Sequence, residues 1–124
     1  MRKTRKNRPK WMRLRDKAWR VCSEYIRKRD KGICFTCGEP GDQAGHFKHG
    51  KNCERYFDEY NINCQCRRCN LFLSGNLAVY LRKLQQKYGV EKADELLKEN
   101  KVKRWKVKEL EEVIKYYQDK LDNL

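Results

Sequence analysis

The apolar positions of this chain follow helical spacing toward both ends and lose it in the middle. From Trp11 onward Leu14, Ala18, Val21, Cys22, Tyr25 and Ile26 recur at three and four residues, and Gly32 is a natural stop. That spacing predicts an amphipathic helix over 11–31 with a basic outer face. Cys22 lies on its apolar stripe and reads as an inert core residue. After Cys69 the period returns. Leu77, Tyr80, Leu81, Leu84 and Tyr88 precede Gly89, Ala93, Leu96 and Leu97 mark a shorter segment over Val90 to Glu99, and Leu110, Val113, Ile114, Tyr117 and Leu121 mark a closing helix. These segments predict a helical cap over 76–124.

The middle, 33–75, is rich in Gly, Asp, Asn and Cys, which predicts turns and short strands wrapped around a site. The first ten residues, MRKTRKNRPK, have no apolar period and end near Pro9. They predict a basic arm over 1–10, disordered until Arg2, Lys3, Arg5 and Lys6 meet a phosphate backbone.

Charge sharpens this picture. The chain of 124 residues carries a formal charge of +14, and its first twenty residues set ten Lys or Arg against one acid, Asp16. Such an imbalance is tolerable when the partner is a polyanion, so nucleic acid is the first partner to consider. Hydrophobic and charged residues each make up 39%, which leaves a small core, one domain over 11–124, and a need for a staple. The absence of a long apolar run and of a signal-like start predicts no membrane span and a cytoplasmic location. Seven cysteines in a reducing compartment point to metal rather than to disulfides. GxGxxG and P-loop patterns are absent, so nucleotide hydrolysis has no support.

Cys34-Phe35-Thr36-Cys37 and Cys66-Arg67-Arg68-Cys69 are two Cys-x-x-Cys knuckles, a spacing that aims two thiolates each at one tetrahedral zinc ion. Four thiolates close the coordination shell, so this zinc is expected to be structural. Cys53 and Cys64 stand as alternative ligands without knuckle spacing. The 28 residues between the knuckles exceed what a simple ribbon needs and contain both histidines, His46 and His49.

His46 in Ala44-Gly45-His46-Phe47, followed by Asn61 and then Asn70 directly after the last knuckle cysteine, resembles the HNH nucleases in order and context. More closely, CFTCG, AGHF, YNINCQCRRCN, SGNL and RWKVKELEE, spread over Ile26 to Leu124, resemble the phage NinG/Rap recombination proteins. The resemblance implies an α+β fold: a small ββα-metal (HNH-like) core with a four-cysteine zinc site, flanked by an N-terminal basic helix and C-terminal helices. It implies a metal-dependent endonuclease that cuts branched DNA such as Holliday junctions and D-loops, with a homodimer suiting symmetric cutting.

On that resemblance His46 is the general base, Asn61 braces the loop and orients it, and Asn70 binds a catalytic Mg²⁺ or Mn²⁺. Many HNH motifs place an Asp ligand before the His, but Gly45 stands there. His49, Asp42, Asp58 and Glu59 are the candidates to complete the set, His49 first and His46 itself included. Arg67, Arg68, Lys48 and Lys51 lie at the expected substrate face and would contact phosphates without reading sequence. The rival reading is a non-enzymatic zinc module that binds DNA or RNA, which charge and cysteines fit equally well.

Overall fold

The computed structural model describes residues 7–124, so Arg2, Lys3, Arg5 and Lys6 of the expected arm lie outside it. Helix α1 spans Lys10–Arg29, and Pro9, whose fixed φ suits a helix start, opens it by accepting bonds from the Met12 and Arg13 amides. Residues 8–10, expected in a disordered arm, are placed here: Lys10 begins the helix and Arg8 pairs with Asp16 at 2.8 Å. At the other end the helix closes in a Schellman turn, in which the Gly32 amide bonds the Arg27 carbonyl and the Lys31 amide that of Lys28. Lys31, at φ 55°, takes the left-handed position, so α1 stops short of the predicted Gly32.

Strands β1 (Gln43–His46) and β2 (Ile62–Gln65) form a two-stranded antiparallel sheet that pairs Gln43 with Gln65, Ala44 with Cys64, Gly45 with Asn63 and His46 with Ile62. Every residue of β2 is buried although two are amides. Asn63 is satisfied by two other elements: its Oδ1 accepts from Arg29 at 3.0 Å, and its Nδ2 donates to the Tyr80 hydroxyl at 3.2 Å. Tyr80 in turn donates to the Gly45 carbonyl at 2.7 Å.

After β2 the chain makes a π-helical turn over Arg68–Phe72, with Leu73 bonding back five residues to Arg68, rather than entering an α-helix directly. Helices α2 (Leu77–Tyr88), α3 (Val90–Leu97) and α4 (Val107–Asp122) follow. They match the predicted segments, with Gly89 at φ 91° between α2 and α3. Helix α4 lies along α1. The buried apolar residues form two clusters rather than one core. One joins α1, α4, Ile62 and the loop at Cys53–Phe57, and the other joins Phe47 to α2 and α3. The fold is thus mixed, helices around a small antiparallel sheet. Among the described residues no helix is long and apolar enough to cross a membrane.

The joint between α1 and the sheet is ionic. Arg29 grips the adjacent Asp30 carboxylate with two nitrogens, at 2.8 and 3.1 Å, and also reaches the carbonyls of Glu59 and Ile62. The second Asp30 oxygen takes the Cys64 amide at 2.7 Å. Replacing Asp30 by Ala strips an acceptor from a nearly buried guanidinium and from a strand amide, and is expected to cost about 3 kcal/mol of unfolding free energy. Urea titration of the purified variant measures this; a loss under about 1 kcal/mol would mean that the other Arg29 contacts hold the joint alone.

Candidate functional site

Two tight turns bring four cysteines together. In the first, the Cys34 amide bonds the Glu39 carbonyl and the Gly38 amide returns to the Cys34 carbonyl, with Gly38 at φ 81°. In the second, the Asn70 amide closes on the Cys66 carbonyl. A Phe35 amide to Cys64 carbonyl bond of 2.7 Å locks the two turns to each other. The sulfur atoms of Cys34, Cys37, Cys66 and Cys69 all lie within 4.8 Å of one another, with Cys37 and Cys66 3.6 Å apart. Four thiolates at about 2.3 Å from one tetrahedral ion would be about 3.8 Å apart, so the cluster is able to hold a metal ion.

The thiol chemistry fits a cation. Burial disfavours the Cys34 thiolate, but hydrogen bonds from Thr36 and from backbone amides outweigh it and bring the pKa down to about 6. Cys37 moves the other way: a bond from the Glu39 backbone favours its thiolate, but burial and the neighbouring sulfurs together hold it protonated. A positive ion would remove that conflict. Cys53 and Cys64 are not in the cluster: their thiols donate to the Gly50 and Gly41 carbonyls at 2.7 and 3.4 Å. Cys22 is a core residue, its thiol pushed up to about 12 by burial.

Gln65 connects the cluster to the strand that carries His46. Its Nε2 donates to the Gly75 carbonyl at 2.9 Å and to the Thr36 hydroxyl at 3.2 Å, so the Thr36 proton is left for the Cys34 sulfur, 3.3 Å away. With the amide nitrogen so placed, the Oε1 faces Gly45. A Cβ on Gly45 would sit 1.9 Å from that oxygen and 3.0 Å from the Asn70 Oδ1. The acid expected before the His has no room: Gln65 occupies its space.

His46, at the end of β1, stacks on the rings of Trp19 and Tyr56, with centroids 4.7 and 4.9 Å away, and those two rings lie 5.2 Å from each other, so the three form one aromatic cluster. Its Nε2 lies 2.9 Å from the Tyr56 carbonyl, which can only accept, so Nε2 carries the proton and Nδ1 keeps its lone pair. Burial, opposed by that hydrogen bond, holds the imidazolium form down to about 4. Asn61, fully buried, bonds the Lys48 amide at 2.8 Å and the Lys48 and Arg55 carbonyls at 2.9 and 3.0 Å, so its side chain ties both ends of the loop after His46. Ring orientation comes from Tyr56 and Trp19. Asn70 sits in the π-helical turn, its Nδ2 donating to Gln43 at 2.9 Å.

His49 is exposed, with its ring 6.3 Å from that of His46. Arg67, Arg68 and Lys51 are exposed and Lys48 is half-buried. Two acids considered as ligands are engaged elsewhere: Asp58 pairs with Arg55 at 3.6 Å, and Glu59 accepts from Tyr116 and lies 3.8 Å from Lys120. Asp42 is exposed. Among the described residues the four cysteines are the one group of three or more His, Cys, Asp or Glu placed to share an ion. His46 and His49 do not gather such a group with an acid.

The sequence model of the family described as "Bacteriophage Lambda NinG protein" matches residues 1–124. The chain belongs to the NinG family. Its NinG relatives include Protein ninG of Salmonella phage P22, 34% identical over 112 residues that cover 86% of this chain and 55% of that protein. Protein ninG of Escherichia phage 933W is 35% identical over 112 residues, covering 86% and 56%, and that of Escherichia phage lambda is 33% identical, covering 86% and 55%. The chain spans about half the length of the curated NinG relatives it matches. No solved structure matches it.

Trp19, Tyr56 and Gln65 were not legible as site residues. Trp19 falls one step off the apolar stripe of α1, and it packs at the edge of the main core, where the helical period does not mark it. Tyr56 and Gln65 carry no local signal.

The state of His46 predicts a pH dependence. A histidine in the unfolded chain protonates near 6.5, whereas His46 in the fold resists until about 4. As pH falls the unfolded chain takes the proton first, so stability from neutral His46 is complete above about 6.5 and is lost progressively down to about 4. Urea midpoints across that range should fall more steeply for the wild type than for His46→Ala; parallel curves would contradict the buried neutral ring.

Proposed function

We propose that the chain is an endonuclease that hydrolyses phosphodiester bonds in branched DNA, of the Holliday-junction and D-loop kind, and that its hairpin and following turn serve as an HNH-like ββα-metal frame. The observation that carries this reading is His46: a ring fixed by two aromatic faces, with Nε2 committed to a carbonyl and a free lone pair on Nδ1 at neutral pH. A general base needs that arrangement. Water would give a proton to Nδ1 while its oxygen attacks phosphorus, and the bond to the leaving oxygen would break, that oxygen taking a proton from solvent. The phosphate's negative charge beside the ring favours the imidazolium as it forms. Arg67, Arg68, Lys51 and Lys48 would bind flanking phosphates.

Zinc is the ion for the four cysteines. Thiolate donors select it, and a shell closed by four of them leaves no place for water, so its role is to hold the turns. A second, hard ion finds a poorer set. His46 has one free nitrogen and cannot serve as both base and ligand, and no acid joins His49 and Asn70. His49 and the Asn70 oxygen would hold Mg²⁺ or Mn²⁺ only together with substrate oxygens, where the ion would neutralise the scissile phosphate.

That same lack of an acid favours the second reading, a zinc module that binds DNA or RNA without cutting it. The two readings part on His46. Purified protein incubated with Mg²⁺ or Mn²⁺ and a four-way junction, a flap or a linear duplex is expected to cut a branched substrate. His46→Ala should keep about one zinc per chain and its DNA affinity while losing roughly 100-fold or more in cutting rate. Binding without cutting by the wild type on all three substrates removes the enzyme reading.

A further inference from the structure

Three separate parts of the chain line a cavity of about 400 Å³ beside α1: Trp11 and Arg15 from the helix, Asn52 from the loop after His46, and Arg104 and Trp105 from the segment entering α4. The cleavage chemistry described above uses none of them. Trp105 is a fixed wall, its Nε1 donating to the Cys53 carbonyl at 3.1 Å and its ring standing edge-on to Phe57 at 5.0 Å. Trp11 is 41% exposed. The Arg15 guanidinium lies 5.2 Å over the Trp11 ring and reaches Asn52 only at 3.5 Å, while its Nε is buried with no acceptor among the described residues. Arg104 is exposed at the rim, and no acid lines the cavity.

A buried donor without a partner is costly unless something supplies an acceptor. Indole faces beside guanidinium groups call for a ligand that is flat and aromatic at one end and anionic at the other. A nucleotide has that form, and the volume is within the range of small-ligand sites. We infer that this cavity takes one unpaired nucleotide of a DNA strand, with the base against Trp11 and the phosphate at Arg15 and Arg104. A base inside a duplex is paired and stacked and does not reach such a cavity; a base in a single-stranded segment, such as the displaced strand of a D-loop, does. The cavity adjoins the His46 site, because Trp19, one helical turn beyond Arg15, stacks on His46. This inference rests on the DNA reading above, and adds a means of preferring branched over linear DNA.

Intrinsic fluorescence tests it, since two of the three tryptophans line the cavity and the third is Trp19. The full chain, without added Mg²⁺ or Mn²⁺, is titrated with an oligothymidylate of about eight residues, within the usual site size of single-strand binders. Quenching is expected. Trp11→Ala should bind that strand about tenfold more weakly, the loss of one base–aromatic stack, with Trp11→Phe close to wild type. The salt dependence of Trp11→Ala should be unchanged, because no cation is removed. Affinity for a paired linear duplex should change by less than about twofold, as a duplex offers no unstacked base. Equal binding of the strand by wild type and Trp11→Ala overturns the inference, as does an equal loss on strand and duplex. Quenching by a wild type that cuts nothing would remove the nuclease reading alone, whereas cutting with an indifferent Trp11→Ala would remove the cavity alone.

Discussion

A two-stranded ladder of four residues per strand does not hold itself together in water, and everything between Cys37 and Cys66 depends on what ties the two ends of that insert. Four thiols meet there, and the Phe35 amide bonds the Cys64 carbonyl within the same knot. Thiols crowded this closely resist becoming thiolates together, which is why Cys34 and Cys37 are driven in opposite directions. A divalent ion held there would resolve the conflict and turn a weak loop closure into the strongest constraint on the middle of the chain.

That constraint makes the buried polar strand possible. Asn63 and Gln65 on β2 would destabilise an ordinary core, but with the ends fixed each finds partners on different elements: Arg29 and Tyr80 for one, Gly75 and Thr36 for the amide nitrogen of the other. The polar layer lies between the two apolar clusters and couples them through Tyr80 and Gly45. Gln65 couples them also to the cysteines, so the position of His46 depends on the cysteine knot through a short chain of hydrogen bonds and one close contact at Gly45. Loss of the knot would move His46 without touching it.

How much of this was legible follows from range. The helices and the knuckles were, because a period of 3.6 and a Cys-x-x-Cys spacing are local properties. The surroundings of His46 were not. Trp19 and Tyr56 meet it only through tertiary packing, and the burial that keeps the ring neutral arises from that packing. Gly45 reads from sequence as a missing acid. In the fold it is a position where any side chain collides with Gln65, a relation across twenty residues. Where chain length suggests a single core there are two clusters, and the buried amide of Asn63 bonds to Arg29 on α1 and to Tyr80 on α2.

Helix α1 serves the core and the site at once. Its core stripe through Ala18 and Cys22 packs on α4, and one step around the helix Trp11, Arg15 and Trp19 follow one another at intervals of four, which stacks them along a second face. Trp19 packs on the His46 ring, and Arg15 and Trp11 extend the same wall into the cavity beside it. A helix that needs only one stripe for stability thus devotes its second to aromatic and guanidinium groups. Their chemistry matches unstacked nucleic acid better than solvent, and that is the strongest structural reason to connect the chain's positive charge with the strand-level reading of its site.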